Sequence, residues 1–151
     1  MQKEINIGLL GFGTVGAGVA RILIQRQDLI RSRVGASMNL KRVADLDLAT
    51  DRGIQLADGV LTSDTGSVVN DPGIDIIVEM IGGQTIAKKL ILAAIENGKQ
   101  IVTANKALLA AQGNELFKAA AQKGVDLAFE ASVGGCMPII KSIRESLVGN
   151  H

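Results

Sequence analysis

Along this chain, short aliphatic runs alternate with longer stretches in which apolar positions recur every three or four residues. The first run, Glu4-Ile5-Asn6-Ile7-Gly8-Leu9-Leu10, is apolar enough for a strand buried on both faces. A glycine-rich turn follows, and from Val15 to Arg31 the apolar residues Val15, Val19, Ile22, Leu23 and Ile30 have helical spacing. Ser32–Met38, with Gly35, reads as a loop and Asn39–Asp45 as a second strand, completing one right-handed βαβ unit. The stretch Leu46–Asn70 is less regular. Asp51-Arg52-Gly53 has turn chemistry, Val60-Leu61-Thr62 suits a short strand, and Asp64–Asn70 suits a short helix.

Asp71-Pro72-Gly73 is a strong turn signal ahead of a strand over Ile74–Glu79. Gly82-Gly83 ends that strand, and Thr85 is expected to cap a helix over Ile86–Asn97, closed by Gly98. Lys99–Thr103 is a further strand. Ala104–Lys123 is helical in composition, with Gly113 as its expected breaking point, and Val125–Phe129 is a sixth strand. Pro138 suits the first turn of a last helix reaching about Leu147. Strands this short and aliphatic, separated by Ala-rich helices, predict an α/β fold with a parallel sheet.

Composition narrows the function classes. At 151 residues the chain is expected to be one domain, residues 1–151. Gly is 18 of 151, well above the usual share of about 7%, so tight turns carry weight here. Aromatics are confined to Phe12, Phe117 and Phe129, which argues against a base-stacking surface and a hot-spot-rich protein interface. A net charge of +1 gives no electrostatic footprint for nucleic acid or an anionic membrane. One cysteine excludes an internal disulfide and a Cys-built zinc site. No apolar run is long enough to span a membrane and no secretory leader opens the chain, so a cytoplasmic address is expected. The last helix runs into Gly149-Asn150-His151, and the chain is expected to be the first domain of something longer.

The sharpest motif is Gly11-x-Gly13-x-x-Gly16, which leaves a strand and opens a helix. The first glycine permits the tight turn, the second lets backbone approach a pyrophosphate, and the third lets helix and strand pack closely. The helix N-terminus then offers free N–H groups and a positive dipole end. A Rossmann-type doubly wound, mostly parallel sheet with helices on both faces is the fold that uses this motif. Asp45, 29 residues after Gly16 rather than about 20, is the acidic residue expected to accept bonds from the ribose hydroxyls, which favours NAD over NADP. Lys41, Arg42 and Arg52 lie near enough in sequence to leave NADP open.

Gly82 and Gly83, after the Ile74–Glu79 strand, and Thr103-Ala104-Asn105-Lys106, after the next one, fall at the sheet edge that faces the crevice. Lys106 there can polarise a carbonyl or pass a proton, although spacing alone favours a solvated helix-start lysine. Glu130–Pro138 is a Gly-rich loop whose carbonyls can ligate a hard cation or serve as a plain connector. Cys136 has no evident base, and the lone His151 supports no catalytic role.

Four stretches together resemble the N-terminal half of homoserine dehydrogenase: Gly-Phe-Gly-Thr-Val-Gly at 11–16, Glu-Met-Ile-Gly-Gly at 79–83, Thr-Ala-Asn-Lys at 103–106, and Glu-Ala-Ser-Val-Gly-Gly at 130–135 with Pro138. The resemblance covers nearly the whole chain. It implies an oxidoreductase that interconverts L-homoserine and L-aspartate 4-semialdehyde with NAD(P), toward threonine, isoleucine and methionine. It implies that Phe12, Thr14 and Val15 touch the dinucleotide, with Gly82, Gly83 and Thr103 beside it, and that Lys106 is the active-site lysine. It also implies a sodium ion held by the backbone carbonyls of Glu130, Val133, Gly135 and Met137.

Two departures stand out: Ala44 replaces the Arg with which many members bind the 2′-phosphate, and Cys136-Met137 replaces a Gly followed by an aliphatic residue. The family's proton-donating lysine, its homoserine-binding acids and its dimerisation domain fall outside the chain. The fragment alone is therefore expected to be inactive, and the parent a homo-oligomer acting on a small molecule. Two other readings are weighed against this one: another Rossmann amino-acid dehydrogenase or reductase, and a stand-alone NAD-sensing regulatory module.

Overall fold

In the computed structural model, which describes residues 3–147, the first apolar run forms β1 (Glu4–Leu10). It pairs in parallel with β2 (Ser37–Ala44) on one side and β4 (Ile76–Glu79) on the other. β3 (Leu61–Thr62) extends the sheet beyond β2, while β5 (Gln100–Thr103) and β6 (Leu127–Ala128) extend it beyond β4. The order β3-β2-β1-β4-β5-β6, parallel throughout, is that of a doubly wound Rossmann sheet. The winding reverses between β1 and β4, so a crevice opens beyond their carboxyl ends.

Successive strand residues face opposite layers. Leu10, Ala44, Ile77 and Ile101 pack in one core with α3 (Thr65–Val69), α4 (Thr85–Glu96) and α5 (Lys106–Lys123). Leu9, Val43 and Val78 pack in the other with Ala17, Ala20 and Leu23 of α1 (Thr14–Gln25). Nearly all of this is Ile, Leu, Val and Ala, as a sheet buried on both faces requires.

Several elements differ from the sequence expectation. The long first helix is two, α1 and α2 (Gln27–Val34), kinked at Arg26 (φ −117°, ψ 25°). The ladder survives the kink, since the Arg26 N–H reaches Ile22 and the Ile30 N–H reaches Arg26. Gln25-Arg26-Gln27-Asp28 is four polar residues in succession, leaving no burial there to hold the helix straight. Much of the expected Ser32–Met38 loop is absorbed, because α2 runs on to Val34, stops at left-handed Gly35 (φ 73°), and β2 starts at Ser37.

Thr85 does not cap α4. It is the first helical residue, and the N-cap is Gln84, without a side-chain bond. Gly113 does not break α5, where it is buried and a Cβ would stand in ordinary contact with Leu109 and Phe117. The expected Glu130–Pro138 loop opens with a helical turn, α6 (Glu130–Val133), and the last helix is only the short α7 (Ile139–Lys141) followed by a π-helical turn, Ser142–Ser146, with Pro138 at the N-cap. The end of the resemblance at 148–150 and His151 lie outside the described residues.

At the sheet edge opposite the crevice, Lys99 is buried and donates to the carbonyls of Asp71 (2.5 Å) and Ile74 (2.8 Å). Burial lowers its pKa, against the pull of Asp71 and Asp75. Asp71 also accepts from Lys41 at 3.0 Å, which fastens the Asp-Pro-Gly turn to β2.

Candidate functional site

The turn between β1 and α1 separates the three glycines by role. Gly11 has φ 94°, and a Cβ there would lie 2.7–2.8 Å from the Met80 and Ile81 backbone. A Cβ on Gly16 would overlap the Gly11 carbonyl oxygen, so α1 sits against β1 only because that atom is missing. A Cβ on Gly13 would meet nothing within 4 Å. That open backbone is the N-cap of α1, which has no side-chain cap and no acidic residue in its first turn. Donors left without a side-chain partner and a positive dipole end therefore face the crevice, an arrangement suited to an anion.

Two hollows open beside this turn. The larger, about 470 Å³, is lined by Gly11, Gly13, Ala44, Asp45, Arg52, Ile81 and Ile86 among others. The smaller, about 140 Å³, is lined by Val15, Glu79, Met80, Gly82, Ala104 and Asn105. Thr14 and Val15 are exposed at the start of α1, and Gly82 and Gly83 are exposed with φ 77° and 70°. The glycine turn, Asp45 and Gly82-Gly83 thus meet at one crevice, as the sequence placed them.

Asp45 lies just past β2 with both carboxylate oxygens engaged: one accepts the Phe12 N–H (2.5 Å), the other the Asp47 N–H (2.8 Å). A carboxylate has about four acceptor sites, so capacity for a hydroxyl remains. Of the three basic residues nearby, Lys41 is spent on Asp71 and Arg42 on the Gly59 carbonyl (3.2 Å). Arg52 alone of the three lines the larger hollow, where its guanidinium is paired with Asp47 at 2.8 Å. Hydrogen bonds from Thr50, then Ala49, and the Arg52 charge hold the Asp47 carboxyl below its usual pKa.

Two expected contact residues are placed differently. Phe12 is buried in the core under α1 and its N–H is already given to Asp45, so its side chain supports the turn from below. Thr103 is fully buried, its hydroxyl donating to Glu79 (2.6 Å) and its carbonyl accepting from Ser132 (2.8 Å). Both side chains build the site from behind.

Sequence reasoning gave Glu79, Asn105 and Ser132 no separate role. Glu79 is a wholly buried carboxylate that also accepts from the N–H groups of Ile81 and Gly82. Asn105 caps α5 through the Leu108 N–H and donates to the Gly83 carbonyl at 2.6 Å. A glutamate closing an otherwise apolar strand is the signal that points to this cluster.

Lys106 opens α5, exposed, with Nζ 3.5 Å from the Ala131 carbonyl, and lines neither hollow. In the loop after β6, two of the four expected carbonyls already accept internal bonds. That of Glu130 accepts from Gly134 (3.2 Å) and that of Met137 from Ile139 (2.9 Å), while the Glu130 carboxylate caps α7 through Ile140 and Lys141. Carbonyl oxygens are apt donors for a hard cation. As folded, however, two of the four are turned to internal N–H groups. Cys136 takes a left-handed conformation (φ 64°).

A family model described as homoserine dehydrogenase, NAD binding domain, matches residues 11–130. The homoserine dehydrogenase of Synechocystis sp. is 47% identical over 97% of this chain and 34% of its own length. That of Pseudomonas aeruginosa is 44% identical over 99% of this chain and 34% of its own. A crystal structure of a homoserine dehydrogenase from Thiobacillus denitrificans has a TM-score of 0.87 and 49% identity, covering 96% of this chain and 33% of that one. The chain spans about a third of the length of the relatives it matches.

Proposed function

Because the chain belongs to the NAD-binding domain family of homoserine dehydrogenase, we propose that the crevice between β1 and β4 holds NAD. We further propose that the whole enzyme interconverts L-homoserine and L-aspartate 4-semialdehyde, toward threonine, isoleucine and methionine. The observation that carries this is the β1–α1 turn: a Gly11 that admits no Cβ, an open Gly13 and an α1 packed through Gly16, with uncapped helix donors above them. The relatives support this reading over a different amino-acid dehydrogenase or a stand-alone sensor.

NAD, when bound, supplies the hydride acceptor of the alcohol oxidation. The α1 N–H groups take the pyrophosphate and Asp45 takes a ribose hydroxyl. The backbone at Gly82-Gly83 gives the flat room that a ring needs at the far end. Lys106 stands at the β5–α5 junction, where an ammonium can steady the substrate oxygen or pass its proton. Asp45 and the Arg52–Asp47 pairing favour NAD over NADP.

The test is steady-state turnover by the whole enzyme, following NADH consumed with L-aspartate 4-semialdehyde. Wild type is expected to turn over, and Gly13→Val, which sets a branched side chain in the pyrophosphate path, to lose about a hundredfold or more in kcat/KM. Turnover unchanged by Gly13→Val overturns the proposal.

A further inference from the structure

A fully buried carboxylate at the end of a strand is costly unless its oxygens are satisfied. Glu79 meets that condition with groups from two neighbouring loops. Its Oε1 accepts from the N–H of Ile81 (2.9 Å) and Gly82 (3.0 Å), the turn that floors the smaller hollow. Its Oε2 accepts the Thr103 hydroxyl at 2.6 Å. The same hydroxyl oxygen accepts the Asn105 N–H (3.1 Å), and the Asn105 amide returns to the Gly83 carbonyl at 2.6 Å. The chain of bonds closes on the turn where it began. Asn105 also caps α5, whose first residue is Lys106.

The bonds of the ring lie on the β4–β5 side, and Ile81, which the ring holds, also borders the larger hollow. The glycine turn and Asp45 are held by separate bonds, through Ala44 and Phe12. Gly82 and Gly83 both have positive φ, and nothing within 4 Å fills the space beside them, so their conformation depends on the hydrogen bonds that anchor them.

From this we infer that Glu79, with Thr103 as its partner, is a positioning residue. It sets the nicotinamide end of the crevice by holding Gly82-Gly83 and Asn105 in one ring, and acts less on the adenosine end, where Asp45 and the glycine turn have bonds of their own. The inference rests on the proposed dinucleotide site.

The chemistry dictates the variants. In Glu79→Gln, an amide group facing Thr103 donates to an oxygen that itself must donate, so one proton is left without an acceptor. Thr103→Val removes the hydroxyl and keeps the shape, while Thr103→Ser keeps the hydroxyl. Each form is titrated by calorimetry with NADH and with ADP-ribose, which lacks the nicotinamide.

Glu79→Gln and Thr103→Val are expected to weaken NADH about tenfold, the loss of a charged hydrogen bond, while ADP-ribose stays within about twofold. Thr103→Ser should bind NADH within about threefold of wild type. If Glu79→Gln fails to fold, the two Thr103 variants decide alone. Equal losses for NADH and ADP-ribose, an unchanged NADH affinity, or a Thr103→Ser as weak as Thr103→Val would each overturn the inference. Failure of the wild type to bind either ligand would overturn the dinucleotide site itself, a result distinct from these.

Discussion

Cys136 carries a left-handed backbone (φ 64°) on a side chain that resists it. That conformation costs a non-glycine residue roughly 1–2 kcal/mol, whereas a glycine there adds about 0.4–1 kcal/mol of unfolded-chain entropy. The strain outweighs the entropy. Cys136→Gly is expected to stabilise the chain by about 0.5–1 kcal/mol, a rise of about 1–4 °C in Tm by thermal unfolding. A fall in Tm contradicts that balance.

The other residue with a disputed task is Asp45. Beside a 2′-phosphate it would be a like-charge contact, worth about 4 kcal/mol at 4 Å in a surface-like dielectric and less after screening. Arg52, the one cation lining that hollow among the described residues, is paired with Asp47. The double variant Ala44→Arg, Asp45→Ser is expected to move the ratio of NAD to NADP affinities at least about tenfold toward NADP, read by calorimetry. A wild type that already prefers NADP would mean Arg52 reads the phosphate. At this scale the sequence located Asp45 and the three glycines, because each needs its residue type for a backbone reason. Spacing gave Glu79 and Asn105 no role and set Thr103 beside the dinucleotide rather than behind the turn, since their partners lie about 22–24 residues apart along the chain.

Among the elements, periodicity was a reliable guide wherever a face is buried. It gave all six strands and the two long helices over the β4–β5 side, and failed at the Arg26 kink, where no apolar residue decides the path. The Asp71-Pro72-Gly73 turn shows how a local signal becomes a tertiary clamp. The Gly73 N–H, and next the Lys41 ammonium, hold the Asp71 carboxyl below its ordinary pKa. The folded pKa is depressed, so the stability it contributes is present above about pH 4 and is lost as pH falls through the lowered folded value. Asp71→Asn is expected to be less stable near neutrality and to show a shallower loss between about pH 4 and pH 2 in denaturant midpoints. An acid limb identical to wild type would place the protonation elsewhere.

For the whole molecule, the strand order puts the glycine turn, Asp45, Gly82-Gly83 and Lys106 along one sheet edge, which is why a doubly wound reading of the sequence located the crevice. Carbonyl directions in the Glu130–Met137 stretch are encoded by no residue type, so the internal bonds of Glu130 and Met137 were not legible in the same way. The functional reading stands on the open backbone at Gly13 as the seat of a dinucleotide's pyrophosphate. Calorimetric titration of this chain with NADH, wild type against Gly13→Val, asks whether it is. Wild type is expected to show saturable one-to-one binding, and the variant a loss of about a hundredfold or more. Both forms should unfold at similar temperatures, because a Cβ at this position has no protein atom within 4 Å. Equal affinity in two equally folded proteins would contradict the assignment.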